Sequence, residues 1–367
     1  MLGRYHLVAV THFICVALVL KTLGVILPCC VTCFYSSTFN FLFYLLVAGY
    51  TFRFTKRRHL NEKLQPENRA VLITGCDSGF GFLLAKHLDS QGFHVFASCL
   101  NPDGPGAAEL TKSCSERLQT LKLDVTSDES TKKAFEFVKE NLGTSELWAL
   151  VNNAGVYKGC SVELTSIDDF RDCMEVNALG PIRVTKAFLP LLRQSRGRVV
   201  NLTSILGRVP WAHLSSYVTS KYAAVGFNDC LRQELEPWGI RVISVEPELF
   251  ETAMTSDENV ARNVDATFQS LDEDIKSDYG TKYFKHFKIF AQYHTGLASD
   301  KVYHVISALE DAISMEYPDI VYRPCRNSIV EHLEHFYELE PHMKKDFYVR
   351  CLMYLTGFPK PKEANTF

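Results

Sequence analysis

From residue 70 onward the chain alternates short apolar, β-rich runs with longer stretches of helical periodicity, and that alternation leaves few architectures open. The first run, AVLIT at residues 70–74, reads as a buried strand. Residues 80–90 follow with Phe82, Leu83, Ala85 and Leu88 at helical spacing. The order then repeats. Strands are expected at 93–100, 118–123, 147–151, 198–202 and 240–245, with helices at 105–115, 127–141, 172–192 and around Tyr217. Strands alternating with helices make βαβ units with right-handed crossovers, so the fold class is α/β, a doubly wound parallel sheet with helices on both faces. Past Pro247 the pattern weakens; residues 258–290 read as helical and 319–322 as a last strand.

The first sixty residues obey a different rule. From Leu7 to Phe34 Lys21 is the only charged residue, and a second apolar stretch at 39–54 is broken only by Arg53. A bilayer core about 30 Å thick takes roughly 20 apolar residues as a helix. The first stretch is long enough; the second, shorter, would complete a hairpin, so one span or two are both open. A retained anchor is expected ahead of a cleaved signal, since the block is long and lacks a clear small-x-small site, and ahead of a mitochondrial presequence, since it is neither Arg-rich nor Ser-rich. Lys56-Arg57-Arg58-His59 follows it, which orients residue 56 onward to the cytosol. The expected division is a hydrophobic membrane anchor over 1–60, an α/β domain over 61–325, and a C-terminal helical extension over 326–367. In that extension aromatic and charged residues alternate, which suits a packed helix pair or a membrane surface.

With 47% hydrophobic residues, 22% charged and a net charge of −3, the chain can bury a core and offers nucleic acid no basic face. Its 12 cysteines are scattered, and the one C-x-x-C, Cys30 to Cys33, lies in the apolar block without histidine partners. That pattern argues against a metal site and a disulfide framework, and for reduced thiols facing the cytosol. Asn201-Leu202-Thr203 is a glycosylation sequon on an expected buried strand and should stay unmodified.

Two stretches carry chemistry. Directly after the first strand stand Thr74, Gly75, Cys76, Asp77, Ser78, Gly79, Phe80 and Gly81. Glycines between a strand and a helix let backbone approach a pyrophosphate, and the helix start supplies free N–H groups. This context points to nucleotide binding. The second stretch, SSYVTSKYAAVGF at 215–227, sets Tyr217 and Lys221 one turn apart on a helix face. An ammonium beside a phenol favours the phenolate, which would suit an acid or base near neutral pH. Alone, such a pair is commonplace.

In company it is not. T-G-x-x-x-G-x-G at 74–81, Asn152-Asn153-Ala154-Gly155 after the fourth strand, Asn177 in EVNALG, Ser204 placed 13 residues before Tyr217, and Y-x-x-x-K together resemble the short-chain dehydrogenase/reductase family over roughly residues 69–325. The resemblance implies a Rossmann-type sheet and hydride transfer between an alcohol and a nicotinamide cofactor. It implies Tyr217 as the general acid/base, Ser204 holding the substrate oxygen, Lys221 lowering the Tyr217 pKa and binding the ribose, and Asn177 holding a water of the proton path. Thr74–Gly81 and Asn152–Gly155 would bind the cofactor with Asp124 and Val125 on the adenine side and Pro247 and Thr252 near the carboxamide. One departure stands out: the family usually has Pro-Gly after the sixth strand, where this chain has Pro247-Glu248. Glycine tolerates backbone geometries that other residues resist, so reduced activity or a shifted loop is expected there, and a weakly active cofactor-binding scaffold is an alternative.

No Arg or Lys stands at the glycine loop or after the second strand, where Asp77 and Ser98-Cys99-Leu100-Asn101 occur, so NAD is expected ahead of NADP. Finer wording, such as LKLDVT, LWALVNNAGV and GRVVNLTSILGRVP, resembles the retinol, 17-beta-hydroxysteroid and 3-hydroxybutyrate dehydrogenase branch. The pocket should be walled by 156–160, 205–213 and 249–294, with Leu206, Val209, Trp211, Leu249 and Phe250 beside Ser204 in contact with substrate. An apolar lining suits a steroid first and a retinol next. A hydroxybutyrate carboxylate would want a fixed cation, and only Arg208 and His213 offer one locally. The expected partners are a lipophilic substrate and membrane lipid, with a homo-oligomer compatible with the resemblance. The expected location is the endoplasmic reticulum membrane with a cytosolic catalytic domain, ahead of mitochondria.

Overall fold

The computed structural model describes residues 3–26 and 37–325. The expected C-terminal extension at 326–367 lies outside the described residues. The chain divides into two compact units, Met1–Gln65 with Ser314–Pro318, and Pro66–Ile313 with the residues from Asp319 on.

The first unit holds two helices, α1 (Arg4–Ile26) and α2 (Ser37–His59). Among the described residues one helix is long and apolar enough to cross a membrane, over Arg4–Thr22 with mean hydropathy 1.6. The second apolar stretch is helical as well. His12 bridges the pair, with Nε2 3.0 Å from the Ala48 carbonyl and Nδ1 2.8 Å from the Thr55 hydroxyl. Ser314–Pro318 returns here: Leu64 N–H donates to the Ser314 carbonyl at 2.7 Å and Glu316 N–H to the Glu62 carbonyl at 2.9 Å.

The second unit is the expected doubly wound domain. In chain order it runs β1 (Arg69–Ile73), α3 (Gly79–Ser90), β2 (His94–Cys99), α4 (Pro105–Ser113), β3 (Leu118–Lys122), α5 (Asp128–Asn141) and β4 (Glu146–Asn152). It continues with α6 (Ile167–Met174), α7 (Gly180–Ser195), β5 (Arg198–Leu202), α8 (Ser215–Leu235), β6 (Arg241–Val245), α9 (Asp257–Ser270), α10 (Glu273–Tyr279), α11 (Thr281–Thr295), α12 (Tyr303–Ser314) and β7 (Val321–Tyr322). Seven strands pair in the order β3-β2-β1-β4-β5-β6-β7, every neighbour parallel. Alternate residues face opposite sides of a strand. Val71 and Ile73 of β1 accordingly pack with Leu84, Leu88, Leu110, Leu309 and Ile313 on one face. Ala70 and Leu72 pack with Val138, Val184, Phe188, Leu231 and Leu235 on the other. The chain leaves β1 for β2 on one side and returns to β4 on the other, so the crevice past their carboxyl ends is the place where such sheets bind ligands.

Two expected helices are subdivided. The stretch at 172–192 is α6 and α7 joined by a widened π-type turn, Glu175–Leu179. The stretch at 258–290 is α9, α10 and α11, broken at Leu271 and at Gly280, whose φ of +74° suits glycine.

Candidate active site

The glycine loop is built by close approach. A Cβ on Gly75, which has a φ of +71°, would lie 2.8 Å from Ala154 Cα, and one on Gly81 would lie 2.4 Å from Asn153 Nδ2. Asn153 Nδ2 donates to the Thr74 and Gly75 carbonyls at 2.7 and 2.9 Å, and Thr74 Oγ1 accepts from the N–H groups of Asn153 and Ala154 at 3.0 Å. The loop after β1 and the end of β4 are therefore one piece. A Cβ on Gly79, at φ +63°, would meet only Thr252, 3.9 Å away, so the space beside it is uncrowded. Ser78 caps α3 without a side-chain hydrogen bond, leaving first-turn N–H groups for a ligand anion. This open, backbone-lined cradle fits a dinucleotide pyrophosphate.

Asp77 has a more local task than expected. Its carboxylate accepts from the N–H groups of Leu100 and Asn101 at 2.9 and 3.0 Å, fixing the loop after β2. Asp124 likewise accepts from Thr126 N–H and Oγ1 at 2.9 and 2.7 Å, and Val125 is buried behind it.

Past β5, Ser204 is buried and its Oγ accepts from the Leu206 N–H at 3.1 Å. Tyr217 and Lys221 sit on one face of α8, with Lys221 Nζ 5.6 Å from the centre of the Tyr217 ring. Lys221 is buried and donates to the Leu202 carbonyl at 3.1 Å. Burial pushes the Tyr217 phenol up to about 12, opposed by the neighbouring Ser204 hydroxyl. Burial takes Lys221 down from 10.5 to about 8. For both groups the largest cause is burial, which acts against the charged form.

Asn177 lies in the widened turn, buried. Its Nδ2 donates to the Val156 carbonyl at 2.8 Å and to Ser220 Oγ at 2.9 Å, and its Oδ1 accepts from Val156 N–H at 2.8 Å. Both amide protons are used, so a water could reach only the second lone pair of Oδ1. Asn152 points the other way: its Nδ2 donates to Thr185 Oγ1 and Asn201 Oδ1, and Asn201 passes the chain on to Asn228. That buried amide chain props the sheet away from the crevice, and it also encloses the sequon asparagine.

Of the expected pocket residues, Leu206, Val209, Trp211 and Leu249 are half-buried. Phe250 is not among them. It is 2% exposed and packs edge-on against Phe80 in the sheet core, with ring centroids 6.4 Å apart, so it corrects to a core residue. Two aromatic contacts that sequence alone did not pair close the wall: His213 with Phe287 at 5.7 Å, and Trp211 with His294 at 6.2 Å. Arg208, the other candidate cation, is engaged: it pairs with Glu246 at 3.0 Å and Asp229 at 3.3 Å. Burial lowers His213 to about 4, so it is neutral. Glu248 follows Pro247 without a positive φ, since the described non-glycine residues with one are Asn68, Arg196 and His213. The strain expected from replacing a glycine is absent.

A family model described as short chain dehydrogenase matches residues 69–263. The chain is 42% identical over 265 residues to estradiol 17-beta-dehydrogenase 2 of Mus musculus, covering 72% of this chain and 70% of that protein. It is 41% identical over 276 residues to the mitochondrial D-beta-hydroxybutyrate dehydrogenase of Rattus norvegicus, covering 74% and 80%. Among solved structures, a short chain dehydrogenase/reductase from Burkholderia phymatum in complex with NAD aligns with a TM-score of 0.61 at 18% identity over 74% of this chain and 93% of that one, a likeness of fold.

Proposed function

The chain belongs to the short-chain dehydrogenase family, an oxidoreductase family acting on alcohol groups, and from that premise we propose that it is an NAD-dependent dehydrogenase of lipophilic alcohols, a steroid first and a retinol next. The observation that carries the reading is the crevice itself. Lys221 lies 5.6 Å from the Tyr217 ring, with Ser204 next to that phenol, and a Cβ on Gly155 would come 3.9 Å from Lys221 Nζ, while the local cations that could hold a small acid are engaged or neutral.

Bound NAD supplies the hydride acceptor for the carbinol carbon. The protein's own groups do the rest. Ser204 Oγ holds the substrate oxygen, and Tyr217 Oη takes its proton as the carbonyl forms, or returns it in reduction. The high phenol pKa keeps Tyr217 protonated at rest, the form reduction needs; oxidation draws on the phenolate, which a positive charge at Lys221 favours. Positioned proton transfer of this kind is worth about 10²–10⁴ in rate. Thr74–Gly81, Asn153–Gly155, Asp124, Val125 and Thr252 would hold the cofactor, with Lys221 on its ribose. The Asp77 carboxylate of the glycine loop, held against the backbone just past β2, would repel a 2′-phosphate, which supports NAD over NADP.

Residues 1–60 are assigned to a membrane anchor in the endoplasmic reticulum, with 61–325 as the cytosolic catalytic domain. A bilayer concentrates a lipophilic substrate near a tethered enzyme. A second reading, a 3-hydroxybutyrate dehydrogenase, is favoured by the rat relative. Turnover of estradiol, retinol and 3-hydroxybutyrate by membrane fractions, each with NAD and NADP and with Tyr217→Phe as the blank, separates the two. Estradiol with NAD should turn over fastest and the blank should lose at least a hundredfold; a preference for the short acid would sink the main reading.

A further inference from the structure

At the carboxyl end of β6 stands a carboxylate that the chemistry above does not use. Glu246 is 0% exposed. Its Oε1 accepts from Arg208 Nη2 at 3.0 Å, Arg208 Nε at 3.2 Å and Ser244 Oγ at 3.1 Å, and its Oε2 accepts from Arg323 Nε at 3.0 Å. Arg208 also reaches Asp229 on α8 at 3.3 Å, and its backbone carbonyl accepts from Tyr222 Oη at 2.7 Å. Arg208 stands four residues after Ser204, and Tyr222 directly follows Lys221. The turn between Ser204 and Arg208 lies hard against the same helix, since a Cβ on Gly207 would come 2.7 Å from the Lys221 carbonyl.

The cluster of Glu246 and Asp229 with Arg208, Arg323 and Arg232, which pairs with Asp229 at 3.6 Å, thus ties four stretches together: the turn after Ser204, the helix carrying Tyr217 and Lys221, the end of β6, and Arg323 just past β7. Burying such charges is costly, and buried ion pairs are weak contributors to stability. What the cluster does supply is geometry, because an arginine fork on a fixed carboxylate permits few arrangements. We propose that Glu246 is a positioning residue of the active site, which through Arg208 sets the 204–211 turn against α8 so that the Ser204 hydroxyl faces the Tyr217 phenol. This inference rests on the dehydrogenase reading given above.

The test uses the full chain in detergent, with Glu246→Gln, which keeps size but accepts fewer donors, and Arg208→Lys, which keeps charge but loses the fork. Amide hydrogen exchange should quicken within 204–213 and stay unchanged across β1, β4 and β5. NADH binding should stay within about twofold, and kcat for the alcohol should fall about tenfold or more while the KM for NAD holds, in line with the sensitivity of catalysis to misplacement of about 1 Å. Unchanged exchange at 204–213 would overturn the proposal, as would faster exchange across the whole sheet with loss of NADH binding, the mark of a merely structural role. If Glu246→Gln does not fold, Arg208→Lys decides by the same exchange pattern. A wild-type chain inactive on every lipophilic alcohol would defeat the substrate reading, while the exchange pattern would still decide the clamp.

Discussion

Lys221 shows how a single side chain can carry both a cost and a function. It is buried at 4% exposure with a pKa near 8 instead of 10.5. The unfolded chain binds more protons there than the folded one between those values, so stability rises with pH across that window. Below pH 8 the charged amine works against folding by about 3 kcal/mol, and above pH 10.5 that penalty is gone. Comparing melting temperatures of the wild type and Lys221→Met from pH 7 to 11 should show the wild type gaining on the variant chiefly between pH 8 and 10.5. A flat or falling difference would contradict the assignment. At this scale the sequence revealed residue types and spacing but not solvation. Tyr217 and Lys221 could be paired because helix spacing fixes their separation, and Ser204 was picked out through the family resemblance that its distance from Tyr217 carries. The sign of the Tyr217 shift could not, since it depends on how much water the fold removes. Glu246 went unnoticed for the same reason, although a carboxylate ending an apolar strand run is a signal that it must find cations. Phe250 was misplaced because apolar character alone does not tell a pocket wall from a core.

Among the elements, α8 and the turn that packs on it matter most for the chemistry. Gly207 has an ordinary φ, and its glycine identity answers to space: a Cβ would sit 2.6 Å from Val225 Cγ2 and 2.7 Å from the Lys221 carbonyl. Gly207→Ala should therefore push the turn off the helix. Overpacking of this kind costs about 1–3 kcal/mol, and the expected result is a lower melting temperature together with a fall in kcat larger than the change in NADH affinity. Unaltered turnover and melting would mean that the turn tolerates displacement. The strands were legible in advance because parallel strands buried on both faces read as continuous apolar runs. The widened turn at Glu175–Leu179 was not, because one extra residue per turn leaves no mark on the apolar period, even though Asn177 within it was singled out. The division of 258–290 into three helices turned on Gly280, a signal present in the sequence and outweighed by the helical composition around it.

For the whole molecule, the membrane assignment can be pressed further than composition. On α1, Leu7, Val10, Ile14 and Leu18 are 50–61% exposed and recur three or four residues apart, so among the described residues they form a continuous exposed apolar stripe. A stripe of that length beside an apolar helix of 19 residues is matched to hydrocarbon. If it is a retained anchor, the full-length chain should remain in the membrane pellet after alkaline carbonate extraction. An arginine near the centre of a spanning helix costs about 2.5–3.5 kcal/mol. Ile14→Arg combined with Val10→Arg should therefore release a large part of the protein to the supernatant, whereas an arginine at exposed Trp238, in the other unit, should release none. A wild-type product that is already soluble and shortened by the length of the first helix would identify that helix as a cleaved leader, and the anchoring proposal would fall with it.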